Sequence, residues 1–181
     1  MRVISGSARG LRLETLPGQD ITRPTIDRVK EAVFGAIQFD LAGARVLDAF
    51  AGSGALGIEA LSRGAREAVF IDIDARAVAC VKRNLKAARL EERACVLRAD
   101  FLTGMAQAGG QFDFIFLDPP YQSGLYQSAV DAALERGLLA EKGQLIAEHD
   151  GTLELDGLEL TKCRKYGKVY VSFYRRRQEN G

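Results

Sequence analysis

The stretch Arg45-Val-Leu-Asp-Ala-Phe-Ala-Gly-Ser-Gly-Ala-Leu-Gly57 decides the fold. Its first half is a short apolar run, the length of a buried strand. Gly52-x-Gly54-x-x-Gly57 then ends the strand and opens a helix. Leu56, Glu59, Ala60 and Arg63 recur at helical spacing over residues 55–63, and Gly64 supplies a stop. Working outward, the same unit repeats. Residues 68–72 read as a second strand. Residues 75–89 place Val78, Val81, Leu85 and Ala88 on one helical stripe. Residues 94–100 read as a third strand, followed by a short helix after Phe101. Phe112-Asp-Phe-Ile-Phe-Leu117 is a fourth, strongly apolar strand. A helix follows over 124–136, with Leu125, Ala129, Ala133 and Leu134 inward, and residues 144–148 form a fifth strand. Repeated strand–helix units with apolar strands imply an α/β fold, a parallel sheet with helices on both faces.

The ends break this rhythm. Residues 3–16 alternate and are interrupted by Gly6 and Gly10, which predicts a small β-hairpin. Pro24 then sets up a helix over 25–38, with Thr25 as N-cap and Asp27 in the first turn. Residues 160–164 and 168–175 read as strands joined at Tyr166-Gly167, an antiparallel hairpin at the end of the sheet. The whole chain, 1–181, is expected to form one domain, with 1–40 as a hairpin-plus-helix extension.

Composition excludes several classes. The 181 residues are 47% hydrophobic and 27% charged, too apolar and too balanced for a disordered chain. No apolar stretch is long enough to span a membrane, and the first ten residues lack the apolar core of a secretory signal. A reducing cytoplasm is therefore the expected compartment. Cys80, Cys95 and Cys163 are an odd, widely spaced set; Cys80 and Cys95 sit in apolar surroundings and read as small core residues. With His149 the only histidine, no metal site is expected. The net charge of +1 hides an uneven distribution. Residues 1–34 hold six basic and four acidic side chains, and residues 161–181 hold seven basic and one acidic, so the middle carries −7. A polyanion would meet the two ends.

The glycine pattern alone matches a dinucleotide site, and an isolated glycine turn needs no ligand at all. Three acids alter that reading. Asp48 ends the first strand, directly before the glycines, where a pyrophosphate would meet its charge. A ligand carrying an ammonium and a sulfonium, and no phosphate, suits that carboxylate; S-adenosylmethionine is such a ligand. Asp72, at the end of the second strand, can accept both ribose hydroxyls. Asp100, at the end of the third, is placed to meet the adenine amino group.

The fourth strand ends in Asp118-Pro119-Pro120-Tyr121. Two prolines stiffen the loop, remove two backbone donors and leave carbonyls free to accept. Asp118 and the Pro119 carbonyl can then accept the two N–H bonds of a planar exocyclic amine. That turns the conjugated lone pair toward a methyl donor, and Tyr121 can stack on the ring.

These residues resemble a DPPY-type class I methyltransferase. More closely, the chain resembles the bacterial 16S ribosomal RNA guanine-N2 methyltransferase family. The resemblance runs through Arg2-Val-Ile-Ser-Gly6, Arg9-Gly10, Arg23-Pro-Thr-x-Asp-Arg-Val29, the glycine loop, Glu59-Ala-Leu-Ser-Arg-Gly64, the DPPY tetrad, Tyr166-Gly and Tyr174-Arg-Arg. It implies a Rossmann-like, mostly parallel seven-stranded sheet. It implies that Asp48, Phe50, Gly52, Gly54, Asp72, Ile73, Asp100 and Phe101 hold S-adenosyl-L-methionine. Asp118, Pro119, Pro120 and Tyr121 would be catalytic, and Arg2, Arg9, Arg12, Arg23, Thr25 and Arg28 would face RNA. The target implied is the N2 amine of one guanine, expected at position 966, in the small ribosomal subunit or its assembly intermediate. The enzyme is expected to be a cytoplasmic monomer that flips its base from a loop. Related tetrads methylate adenine N6 or a glutamine side chain, so those targets stay open. An NAD-dependent oxidoreductase or nucleotide-binding module is the reading outside this class; Asp48 argues against it.

Overall fold

A computed structural model of the chain describes residues 1–18, 23–120 and 123–178, with backbone only for 23–25. Seven strands form one sheet: β1 (Arg45–Asp48), β2 (Glu67–Asp72), β3 (Ala94–Arg98), β4 (Phe112–Leu117), β5 (Leu139–His149), β6 (Leu158–Tyr166) and β7 (Val169–Arg176). Their order is β3-β2-β1-β4-β5-β7-β6. The first five are parallel, and β7 runs antiparallel between β5 and β6. Strand order reverses between β1 and β4, so a crevice opens there at the carboxyl edge, the place where open α/β sheets hold ligands.

The helices are α1 (Arg23–Ile37), α2 (Ala55–Ser62), α3 (Ala75–Ala88), α4 (Phe101–Ala108) and α5 (Leu125–Glu135). They cover the sheet on two sides because the strands are apolar on both. Phe34 of α1, Leu61 of α2 and Val81 of α3 pack with Val46, Phe70 and Phe116. Met105 of α4 and Val130 of α5 pack with Leu47, Ile71 and Ile115.

Four local expectations change. The N-terminal hairpin shrinks to one antiparallel bridge, Arg2 with Arg12, flanked by a few backbone bonds such as Val3 N–H to Leu11 C=O at 2.9 Å. Its other amides are spent on α2: Ile4 and Ser5 donate to the Glu59 carboxylate, and Ala8 to the Ser62 hydroxyl. Helix α1 starts at Arg23, so Thr25 lies in its first turn instead of at the N-cap, and Asp27 lies beyond that turn. Cys95 is exposed, because β3 is the edge strand and pairs only with β2. Cys80 is buried as expected. Helix α4 and the C-terminal hairpin appear where the sequence places them.

Candidate active site

At the reversal point a cavity of about 640 Å³ opens along the carboxyl edge. It is lined by the ends of β1, β2, β4 and β5, by the glycine loop and by Ile26, Val29 and Lys30 of α1. That volume is in the usual range for a cofactor plus part of a substrate.

The glycine loop is held by the two acids that flank it. Asp48 is buried and accepts the Gly57 N–H at 3.1 Å. Asp72 accepts the Gly52 N–H through one oxygen and the Asp74 N–H through the other, both at 2.9 Å. Gly54 sits at φ +82°, a left-handed turn that side chains disfavour, and leads directly into α2. A Cβ at Gly57 would stand 2.3 Å from the Phe70 ring, so only glycine lets α2 lie this close to β2.

Asp100 lines the cavity, but its carboxylate also caps α4. It accepts the Thr103 N–H at 2.9 Å and the Thr103 hydroxyl at 2.7 Å, and these bonds hold its pKa below the usual carboxylate value. Phe50 and Phe101 meet with ring centroids 5.3 Å apart and form an apolar wall. Ile73 lines the same side and is 71% exposed, an apolar surface with nothing of the described chain over it.

Asp118, Pro119 and Pro120 line the opposite side, directly after β4. Tyr121 lies outside the described residues. Asp118 is exposed at the cavity surface, and its carboxyl is pushed well up, first by desolvation, then by the nearby charges of Glu148 and Asp48. Burial likewise pushes Asp48 up to about 7. The cavity therefore concentrates negative charge: Asp48, Asp72, Asp100, Asp118 and Glu148 all line it. Among the described lining side chains the one basic group is Lys30, and its ammonium is bound to Glu59 at 3.0 Å. An anionic pyrophosphate would be repelled by several of these acids. A cationic sulfonium with an ammonium fits them, so the residues present suit S-adenosylmethionine and disfavour a dinucleotide.

Two lining features are not visible in the sequence pattern as read above. Glu148 lies at the end of β5, much as Asp48, Asp72 and Asp118 end or follow their strands, and that repeated placement is the available signal. Lys30 and Val29 are hidden because nothing in the sequence says where α1 packs.

The predicted RNA-facing residues are dispersed. Arg2 lies by the mouth: Met1 lines the cavity, and Arg2 approaches Asp27 of α1 at 3.9 Å. Arg28 is exposed on α1, between lining residues Ile26 and Val29. Arg12 is exposed and bridges Arg2. Arg9 follows Ser7 and Ala8, whose amides donate to Ser62 at the end of α2 remote from the glycine loop. The side chains of Arg23 and Thr25 lie outside the described residues.

The C-terminal basic run is split by the hairpin. His149 pairs with Tyr170, and Tyr170 with Lys165, so Lys165 and Lys168 stand at the carboxyl edge. Arg175 and Arg176 pair with Glu159 and Leu158 at the other edge.

Fold and site together define a class I methyltransferase. The chain matches, over residues 1–175, the family model described as "Conserved hypothetical protein 95", and it belongs to that family, which is that of the small-subunit ribosomal RNA methyltransferase D proteins. It is 43% identical to "Putative rRNA methyltransferase YlbH" of Bacillus subtilis, covering 98% of this chain and 100% of that one. It is 35% identical to "Ribosomal RNA small subunit methyltransferase D" of Escherichia coli K12, covering 83% and 75%. The solved structure titled "Putative methyltransferase yhhF from Escherichia coli" superposes with a TM-score of 0.87 at 32% identity, over 99% of both chains.

Proposed function

We propose that the protein transfers a methyl group from S-adenosylmethionine to the exocyclic N2 of a guanine in small-subunit ribosomal RNA. The observation that carries this is the placement of Asp118 and Pro119 across the strand-order reversal from Asp48, with one cavity joining them. The family and its named relatives support the RNA substrate.

When bound, the cofactor supplies an activated methyl on a good leaving group. The chain supplies position and charge. Asp48 faces the cationic part, and Asp72 and the Phe50–Phe101 wall take the nucleoside part. The target amine is a poor nucleophile because its lone pair is conjugated into the ring. Asp118 and the Pro119 carbonyl accept its two N–H bonds, which rotates the lone pair out of conjugation toward the methyl carbon. Loss of the methyl would leave the cofactor a neutral thioether, so the chain has only the N2 proton to remove. The surplus proton on N2 passes to the Asp118 carboxylate, which already accepts an N–H of that amine.

The test is to incubate the protein with methyl-labelled cofactor and small subunits from cells lacking it, then map the label. A methylated guanine N2, expected at position 966, supports the reading. Label on adenine or on protein overturns the substrate. Thermal stabilisation by NAD and not by S-adenosylhomocysteine overturns the class.

A further inference from the structure

Glu148 has no part in the chemistry described so far, yet the sheet delivers it to the reacting centre. Strands β4 and β5 are parallel, with Leu117 paired to Ala147. Asp118 and Glu148 are the residues that follow this pair. They leave it side by side and enter the same cavity. Asp118 feels the charge of Glu148. The position of Glu148 is anchored on both sides. Its backbone carbonyl accepts the Tyr126 hydroxyl of α5, and the following residue, His149, is buried and bonded to the Ser172 hydroxyl of β7 at 2.8 Å.

When ionised, two adjacent carboxylates present acceptors only. Guanine matches them, because its N1–H and N2 amine are contiguous donors on one edge. Adenine and cytosine do not: each sets its amine beside a ring nitrogen that carries a lone pair. We infer that Glu148 is a specificity-determining residue, whose carboxylate accepts the guanine N1–H while Asp118 accepts from the N2 amine. This rests on the proposed methylation of guanine and extends it to the choice of base. Against adenine or cytosine, Glu148 would meet a lone pair, acceptor against acceptor. Sites built around such a polar pairing reject the mismatched base much more strongly than apolar pockets do.

The experiment changes the N1 edge of the base, together with O6, and one atom on the protein; O6 is absent for every variant alike, so the change in ratio reports on Glu148. Small subunits are reconstituted with guanine or 2-aminopurine at the target. 2-Aminopurine keeps the amine but has a lone pair, and no hydrogen, at N1. Wild-type enzyme should prefer guanine. Glu148→Gln, whose amide can donate to N1, should lower kcat/KM for guanine and shift the guanine-to-2-aminopurine ratio by at least about tenfold, the scale of one hydrogen bond. The thermal unfolding midpoint without ligand should stay close to that of the parent, which reports an intact fold. Glu148→Ala, assayed in parallel, should bring the ratio toward that of the Gln variant without gaining activity on 2-aminopurine. A ratio equal to wild type in both variants overturns the inference while leaving guanine methylation standing. Failure of the wild type to methylate guanine at all overturns the underlying reading, and this one with it.

Discussion

Lys30 and Glu59 form a buried ion pair, Nζ to Oε2 at 3.0 Å, with side chains 2% and 0% exposed. The pair joins three separate pieces of chain. Lys30 comes from α1 and also donates to the Arg2 carbonyl at 2.7 Å. Glu59 comes from α2 and also accepts Ile4 N–H, Ser5 N–H and the Arg63 guanidinium. The N-terminal segment and α1, which border the cavity, are thereby fixed to the helix that leaves the glycine loop.

Removing one partner should therefore cost much more than a surface pair would. Lys30→Ala removes the ammonium while Arg63 stays on Glu59, so a loss of about 3 kcal/mol, the lower end for a broken buried pair, is expected in denaturant unfolding. Limited proteolysis should cut the N-terminal segment before α1 sooner in this variant than in the parent.

Asp118→Ala removes an acceptor for the target amine and the base for its proton. Methyl transfer should fall by about 10²–10⁴-fold. Cofactor affinity, measured by calorimetry, should change little, because Asp48 and Asp72 hold the other end of the cavity.

Asp48 gives a pH dependence with a definite sign. Its pKa rises from 3.8 to about 7 on folding, so the folded state holds the proton more tightly. Its contribution to stability is full below about pH 4 and is lost as pH rises through about 7. A cationic ligand needs the ionised form, so affinity should run the opposite way. S-adenosylhomocysteine, with its ammonium, should bind about tenfold more tightly at about pH 8 than at about pH 6 through this group. Asp48→Asn should flatten that pH profile.

The split of the basic residues predicts unequal roles in RNA binding. Neutralising Arg2 and Arg28 by the mouth, with Lys165 and Lys168 at the same carboxyl edge, should weaken binding to small subunits. The salt slope should fall by about 0.7–0.9 for each phosphate no longer neutralised. Neutralising Arg175 and Arg176, at the opposite edge, should change it less. Filter binding across a salt series distinguishes the two sets.

Gly57→Ala tests the close approach of α2 to β2. The new methyl would collide with Phe70, which is fully buried, so a destabilisation of about 1–3 kcal/mol is expected in thermal or denaturant unfolding.

Much of the architecture is legible in local periodicity. The strand run ending at Asp48, the glycine turn and the stripe of α3 each need only a few neighbouring residues to be read. The same holds for the placement of three acids at or just after strand ends and of the Asp118-Pro-Pro loop. The misreadings have one origin. Cys95 looks like a core residue until β3 proves to be the edge of the sheet. The N-terminal hairpin looks self-sufficient until its amides find Glu59 and Ser62, more than fifty residues away in sequence.

What the sequence determined by itself is therefore an α/β sheet with acids at its carboxyl edge and basic residues at its two ends. Only the tertiary structure decided which of those residues meet. Strand order and register bring Glu148 next to Asp118. The reversed direction of β7 carries Lys165 and Lys168 to the edge that holds the site and takes Arg175 and Arg176 away from it. Docking of α1 adds Lys30 to the cavity wall. The physical reason is that periodicity records which face of an element is apolar, whereas neighbours in space follow from how the buried faces of distant elements pack together.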